Sequence, residues 1–168
     1  MAVKGARPDR LRVTPHLIVR DANAAMKFYA RALGAAELYR SSCPGSKAIH
    51  LHVKIGDSVV LVSEEDPDIK GHTPEYMGLA CPEALGGTTV VLQLYVDDVD
   101  AVYKRAIDAG ASPTMPPQDR YWGDRYSLLT DPSGYVWGLA TVVEELTPEE
   151  IEKRSQGFLA HSAPFDNR

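Results

Sequence analysis

Three histidines in the first third of the chain carry side chains that are suited to chemistry. His50 and His52 are two residues apart, so on a strand they share a face and can chelate an ion or contact a ligand. Solvated side chains or cross-strand pairing are the favoured interpretation of this pair. His16 is a lone histidine on an early strand, where an imidazole is commonly a hydrogen-bonded wall residue or takes part in ligand binding.

A second candidate is the segment from Tyr121 to Tyr126, which joins large aromatics to a glycine and an Asp/Arg pair. Tyr121 and Trp122 can stack on a planar ligand while Arg125 contacts its oxygens. Alternatively, the segment fills the site itself and is held by an internal pair between Asp124 and Arg125. Both interpretations are open from the sequence.

Several reaction types lack the residues that they need. Ser41-Ser42 and Ser46 are outside any GxSxG setting, so no nucleophilic serine is predicted. Gly86-Gly87 is a turn without the context of a phosphate-binding loop. Cys43 and Cys81 have neither CxxC spacing nor a neighbouring histidine, which indicates ordinary thiols.

Composition restricts the partners. The chain has 168 residues, with 18 Lys+Arg against 23 Asp+Glu and a net charge of -5. No basic run tracks a phosphate backbone, so a nucleic acid is not expected as a partner. No stretch approaches the roughly 20 apolar residues of a membrane span, and the N-terminal residues lack the apolar centre of a secretory signal. These features predict a cytoplasmic protein without a membrane partner.

The chain repeats itself. The segment 16–21 (HLIVRD) recurs as 93–98 (QLYVDD), each followed by an apolar-periodic helix, and many equivalent residues are 77 positions apart. A period this long indicates a duplicated half-domain rather than a solenoid. The repeat predicts a single domain, 12–145, with the following parts: module one 12–64, a connecting loop 65–88 and module two 89–145, preceded by a flexible leader 1–11 and followed by a C-terminal helix and tail 146–168.

Each module is predicted to contain one strand, one helix and three more strands. In module one the strands are expected at 13–19, 36–41, 47–55 and 58–63, and Asp21 or Asn23 caps a helix that ends at Gly34. In module two we expect a helix at 99–109 and strands at 89–96, 112–115, 126–130 and 135–143. Thr147 and Glu150 form a capping box that opens a last helix running to about Arg154.

These motifs resemble the vicinal oxygen chelate superfamily, which includes glyoxalase I, bleomycin-resistance proteins and extradiol dioxygenases. The resemblance rests on the tandem modules, the His-x-x-x-x-Asp opening, Phe28-Tyr29 before Leu33-Gly34, and Asp131-Pro132-x-Gly134. It implies an α+β fold in which two tandem βαβββ modules form a cup-shaped half-barrel, commonly completed as a homodimer.

Within the superfamily, further segments look like the PhnB-like branch. They are Ile49-His50, Ile55-Gly56-Asp57-Ser58, Trp122 to Tyr126, Trp137 before Ala140-Thr141, and the tail with Glu144, Thr147 and Glu149-Glu150. The histidine at His50 belongs to this pattern, whereas His52 does not. Branch members often carry histidine where this chain has Tyr135, which is a departure.

Metal-using members of the superfamily place four ligands in the cup. Carried over, these fall on His16, about Val60, Gln93 and about Gly138. His16 and Gln93 suit a divalent ion, but the other two do not, and the family's glutamate is replaced by Gly138. Glu64 is the one carboxylate that a register shift would offer. No cofactor is therefore favoured, and a divalent metal is possible.

Several functions remain open, among them a metal-free enzyme with His16 or His50 as general base and a structural or regulatory adaptor. In the favoured one, the cup binds a mostly apolar or aromatic small molecule without a metal, for sequestration or antibiotic resistance. The expected contacts are His16, His50, Gln93, Tyr95, Tyr121, Trp122 and Arg125, with Tyr95 on the same strand face as Gln93. The alternative is a metal-dependent lyase, isomerase or dioxygenase with His16 and Gln93 among the ligands. Whether a reaction is catalysed is left open.

Overall fold

The computed structural model describes residues 13–42, 48–65 and 79–161. The predicted leader, most of the connecting loop and the end of the tail lie outside these residues. The predicted fold class is confirmed: two tandem βαβββ modules each form an open four-stranded mixed sheet. In each sheet the first and last strands of the module are parallel neighbours, and the other pairs are antiparallel.

Module one contains β1 (His16–Val19), α1 (Ala22–Leu33), β2 (Ala36–Ser42), β3 (Ile49–Ile55) and β4 (Ser58–Glu64), in the sheet order β1-β4-β3-β2. Helix α1 begins at Asp21, whose carboxylate accepts from the N–H groups of Asn23 and Ala24. It ends at Gly34, which has the left-handed conformation that a C-terminal cap needs. Of the two predicted caps, Asp21 is therefore the one used.

Module two contains β5 (Val91–Tyr95), α3 (Val99–Asp108), β6 (Ser112–Asp119), β7 (Asp124–Thr130) and β8 (Val136–Val142), in the order β5-β8-β7-β6. Strand β6 is longer than predicted because it continues through Pro116 and Pro117. It is the outer strand of its sheet and its register shifts twice, so prolines that lack a donor are tolerated there. The sequence also missed the short helix α2 (Pro82–Leu85) in the connecting segment.

The two modules pack through their helices. One apolar core contains the inward face of α1, including Phe28 and Ala32, and that of α3, including Val102 and Ala106. Arg105 on α3 donates through Nε to the carbonyl oxygen of Ala32, at 3.2 Å. The helices therefore lie on the core side of both sheets, and the opposite sheet faces carry the candidate residues.

Buried polar contacts reinforce the same junction. Tyr135 in module two reaches β1, where its hydroxyl accepts from the N–H of Ile18 (2.7 Å) and donates to the carbonyl of Ile18 (3.0 Å). Asp131, 4% exposed, accepts from the Tyr29 hydroxyl (2.9 Å) and from the Trp137 indole (3.0 Å). The Tyr135–Ile18 and Tyr29–Asp131 contacts each join one module to the other, so they fix how the modules meet.

The last helix, α4 (Pro148–His161), extends beyond the predicted end at Arg154. The predicted capping box is confirmed, because the Thr147 N–H donates to Glu150 (2.8 Å) and the Glu150 N–H donates to the Thr147 hydroxyl (3.3 Å). No helix in the described part of the chain has the length and apolar character to cross a membrane.

Candidate functional site

Module one presents a histidine cluster, formed by His16, His50, His52 and Ser63, on the sheet face away from α1. The Ser63 hydroxyl lies 2.8 Å from His16 Nε2 and 2.7 Å from His50 Nδ1. The ring of His50 is 5.6 Å from that of His16 and 5.1 Å from that of His52. Strand pairing produces this cluster, because β1 and β3 flank β4 on either side.

Hydrogen bonding links the tautomers of His16 and His50. One hydroxyl donates a single proton, so when both rings are neutral Ser63 donates to one and accepts from the other. Burial lowers the pKa of His16, and the neighbouring His50 lowers it further. His16 therefore favours its neutral imidazole, which can act as a hydrogen-bond donor and acceptor toward a ligand.

His52, a member of the cluster, and Glu64, which follows Ser63, make further contacts. The ring of His52 lies 4.8 Å from that of Tyr39 on β2, which is the predicted cross-strand pairing. Both carboxylate oxygens of Glu64 accept from backbone N–H groups, those of Ala22 and Ile49, each at 2.9 Å. Glu64 therefore ties the start of α1 to β3, and its carboxylate is engaged in the fold.

Module two presents an aromatic cluster, formed by Tyr95, Trp122, Asp124 and Tyr126, on the equivalent face of its sheet. Asp124 Oδ2 accepts from the Tyr95 hydroxyl (3.1 Å) and from the Trp122 indole N–H (3.0 Å). The carboxylate is buried, with Asp124 6% exposed, whereas Tyr95 is 57% exposed. Asp124 thus fixes two aromatic side chains whose rings border open space. Gln93, also exposed, lies within hydrogen-bonding reach of the Tyr95 hydroxyl.

Tyr126 completes the aromatic cluster by lying over Gly138. A Cβ at position 138 would be 2.5 Å from the Tyr126 hydroxyl oxygen and 3.0 Å from the ring, so only glycine allows this placement. The Tyr126 ring meets that of Trp122 edge-on at 5.8 Å, and Tyr121 contacts Trp122 in the same way at 5.0 Å. The residue that replaces the family's glutamate therefore makes room for an aromatic wall.

Arg125 does not face the aromatic cluster. The internal pair between Asp124 and Arg125, which the sequence left open, is not formed. The Arg125 guanidinium binds Asp100 on α3 (2.5 and 2.8 Å) and Asp119 at the end of β6 (2.9 Å). Successive strand residues face opposite sides of a sheet, so Arg125 is on the helix side when Tyr126 is on the other. Arg125 is therefore a tie between α3 and the sheet.

The residue that the sequence analysis missed is Arg120. Its guanidinium carbon is 5.7 Å from the centroid of the Trp122 ring, and its charge acts on the Tyr126 hydroxyl. Burial raises the pKa of Tyr126, and Arg120 opposes that shift. The only signal in the sequence is that an arginine directly precedes the aromatic segment.

The strand registers correct one of the carried-over ligand positions. His16 is opposite Leu61 and Gln93 is opposite Gly138, so Leu61 is the equivalent of Gly138. Val60, expected at this place, points into the core and is 6% exposed. The turns between the last two strands differ in length, and this shifted the alignment by one residue.

The side chains at these four positions do not fit a divalent metal within this chain. His16 and Gln93 are neutral donors on separate sheets, and the equivalents Leu61 and Gly138 offer no donor atom. Across 13–42, 48–65 and 79–161, no three His, Cys, Asp or Glu side chains gather in a metal-binding arrangement.

A cavity of about 440 Å³ lies between α2 and Tyr135, bordered by Pro82 and Leu85. None of the predicted site residues lines it. The histidine cluster and the aromatic cluster are thus open surfaces of their sheets rather than parts of this cavity.

Comparison with known proteins decides the family. A family model described as Glyoxalase/Bleomycin resistance protein/Dioxygenase superfamily matches residues 10–139. The chain belongs to this superfamily. Uncharacterised proteins of Mycobacterium bovis and Mycobacterium tuberculosis are each 39% identical to it over 140 residues, which is 83% of this chain and 89% and 79% of the relatives.

Solved structures of the superfamily share its fold. TioX from Micromonospora sp. ML1 is 25% identical, with a TM-score of 0.57 over 82% of this chain and 100% of TioX. A family enzyme from Burkholderia phytofirmans PsJN is 22% identical, with a TM-score of 0.60 over 76% and 94%. The fosfomycin resistance protein FosX of Listeria monocytogenes is 20% identical, with a TM-score of 0.56 over 89% and 99%.

Proposed function

We propose that this superfamily member binds a mostly apolar or aromatic small molecule without a metal, in a sequestration or resistance role. The observation that carries the proposal is the aromatic cluster, in which Asp124 fixes Tyr95 and Trp122 beside Tyr126. Rings held in place before binding lose little freedom when a planar ligand stacks on them. The names of resistance proteins among the structural neighbours agree with this role but show the fold alone.

The histidine cluster differs from the aromatic cluster because it supplies polar groups. His16 and His50 are linked through Ser63, and the lowered pKa of His16 favours its neutral form. The two clusters lie on separate sheets, so the proposed ligand contacts the aromatic cluster, and the histidine cluster offers a separate polar surface. We also propose the PhnB-like branch, supported by the motifs around His50 and Trp122, and a cytoplasmic location, supported by the composition.

Tryptophan fluorescence tests the proposal, because the chain has only two tryptophans and they differ in environment. Trp137 is 3% exposed in the core, whereas Trp122 is half-buried in the aromatic cluster. We expect metal-free bleomycin or 2-naphthamide to quench the emission in a saturable way. The variant Trp122→Phe should lose this response and keep the emission of Trp137, which reports that the protein is folded.

Free tryptophan amide titrated with the same probe is the control, because it shows how much emission is lost when the probe absorbs the exciting light. Saturable quenching that persists in Trp122→Phe would place binding away from the aromatic cluster. An absence of saturable quenching by both probes would overturn the proposed binding of aromatic molecules.

We further propose that the protein is a homodimer in which a second copy packs along the free edge of β5. Strand β5 has a partner on one side, β8, and none on its other side among the described strands. Val91 on this strand is 52% exposed, and Val142 on β8 is 54% exposed. Covering these apolar side chains stabilises an assembly, at roughly 25 cal/mol per Å².

The variant Val91→Lys tests the dimer. A lysine there should weaken self-association about ten-fold or more, because an ammonium group would be buried against a partner. Leu38→Lys is the matched control, since Leu38 is 55% exposed on β2 at the far edge of the other sheet. Sedimentation velocity over a concentration series measures both; a wild-type protein that stays monomeric throughout would contradict the proposal.

A further inference from the structure

Arg120 is a cation whose guanidinium lacks an anionic partner among the described residues. Its Nε is buried and has no hydrogen-bond partner. Its Nη2 donates to the sulfur of Met115, which is a weak acceptor. When water is excluded, an arginine normally donates its N–H groups to carboxylates or carbonyl oxygens. The N–H donors of Arg120 are therefore largely unused.

The main chain of Arg120 is held firmly. Its N–H donates to the carbonyl of Asp124 (2.8 Å), and its own carbonyl accepts from the N–H of Gly123 (3.1 Å). The side chain extends from this fixed turn to Trp122 and to the vicinity of the Tyr126 hydroxyl. The guanidinium is therefore placed against the aromatic cluster rather than free to follow solvent.

The carboxylates closest in sequence are committed to other groups. Asp119 pairs with Arg125 at 2.9 Å. Asp124 accepts from Tyr95 and Trp122. Among the described residues no ion pair includes Arg120, and its charge is therefore available to an anion from outside the chain.

We propose that Arg120 recognises an anionic group of the ligand, and that the ligand is a planar aromatic molecule carrying a carboxylate. The aromatic cluster would hold the ring, and the guanidinium would bind the carboxylate through its paired N–H groups. Because the Trp122 ring is 5.7 Å from the guanidinium carbon and 5.8 Å from the Tyr126 ring, a single small molecule can contact all three. This inference rests on the proposed function and adds a chemical class to it.

Binding of a matched pair of probes to the full-length protein tests the inference. The probes are 2-naphthoate and its neutral analogue 2-naphthamide, and the readout is the indole N–H signal of Trp122 in ¹H–¹⁵N spectra. In the wild type we expect 2-naphthoate to bind about ten-fold more tightly, as a hydrogen bond to a charged group provides. Arg120→Gln should remove that preference, so that 2-naphthoate binds no more tightly than 2-naphthamide.

Two further variants separate recognition from general charge. Arg120→Lys keeps the charge but lacks the planar fork, so we expect an intermediate preference. Arg31→Gln removes one positive charge from an exposed position on α1 and should leave the preference unchanged. The indole signal of Trp137 serves as the internal record of an intact fold.

The outcomes distinguish the two proposals. Equal binding of both probes to the wild type, or an undiminished preference in Arg120→Gln, overturns the role of Arg120 and leaves the proposed binding of aromatic molecules standing. If neither probe shifts the Trp122 signal, both proposals are overturned.

Discussion

Asp131→Ala is expected to destabilise the protein by about 3–5 kcal/mol, a large part of the stability of a domain. Asp131 Oδ2 accepts from the Tyr29 hydroxyl and the Trp137 indole, and Oδ1 accepts from the N–H groups of Ser133 (2.8 Å) and Tyr135 (2.9 Å). Removing the carboxylate leaves these buried donors without an acceptor. Urea unfolding followed by circular dichroism measures the loss.

Asp57→Ala is the matched control, because Asp57 occupies the exposed turn between the last two strands of module one. Its carboxylate accepts from the hydroxyl of the neighbouring Ser58, so a loss below about 0.5 kcal/mol is expected. A comparable loss in both variants would contradict the role of Asp131 as the link between modules.

Asp131 also has a defined pH signature. Burial raises its pKa in the folded protein above the ordinary value of 3.8, although four groups donate to it. The folded state therefore binds this proton more readily than the unfolded state does. The stabilisation is complete below about pH 3.8 and is lost as the pH rises through the folded pKa, so the advantage of wild type over Asp131→Asn should shrink with rising pH.

The parts of the fold that were predictable are those that local sequence encodes. The repeat of HLIVRD as QLYVDD predicts equivalent strands, and Asp21 and Asp98 cap α1 and α3 as the repeat implies. Alternation along a strand also placed Tyr95 on the face of Gln93. Each of these predictions uses neighbours only a few residues apart.

The parts that were missed depend on contacts that sequence spacing does not encode. Arg125 binds Asp100, 25 residues away, because α3 packs on β7. Asp124 therefore accepts from Tyr95 and Trp122 instead of pairing with Arg125. The role of Gly138 likewise depends on the ring of Tyr126 from the adjacent strand. The arginine that lies against the Trp122 ring is Arg120, whereas Arg125 faces α3, and the role of the aromatic segment in binding stays a prediction.

Gly123→Ala is expected to cost about 3–5 kcal/mol and to remove the ligand response of Trp122. Gly123 has a φ of +96°, which a side chain rarely adopts. An added Cβ would also collide with the carbonyl oxygen of Glu144 and lie 3.3 Å from Leu146 Cδ1. The carbonyl oxygen of Glu144 belongs to the backbone, so it cannot rotate away as a flexible side chain would.

Relief of that collision would separate two segments that are now joined. The carbonyl of Gly123 accepts from the N–H groups of Val143 (2.9 Å) and Glu144 (3.0 Å), which fixes the turn that carries Trp122 against the end of β8. Moving the turn displaces Trp122 from Asp124, so stability and binding fall together.

Gly34→Ala separates the collision from backbone strain. Gly34 also has a positive φ, +68°, but an added Cβ meets nothing within 4 Å. Strain alone should cost about 1–2 kcal/mol there. Urea unfolding gives the stability of both variants, and saturable quenching by 2-naphthamide reports the site. A loss in Gly123→Ala no larger than in Gly34→Ala would show that Glu144 yields, and the aromatic segment would then owe its position to Asp124 rather than to the close approach of the two backbones.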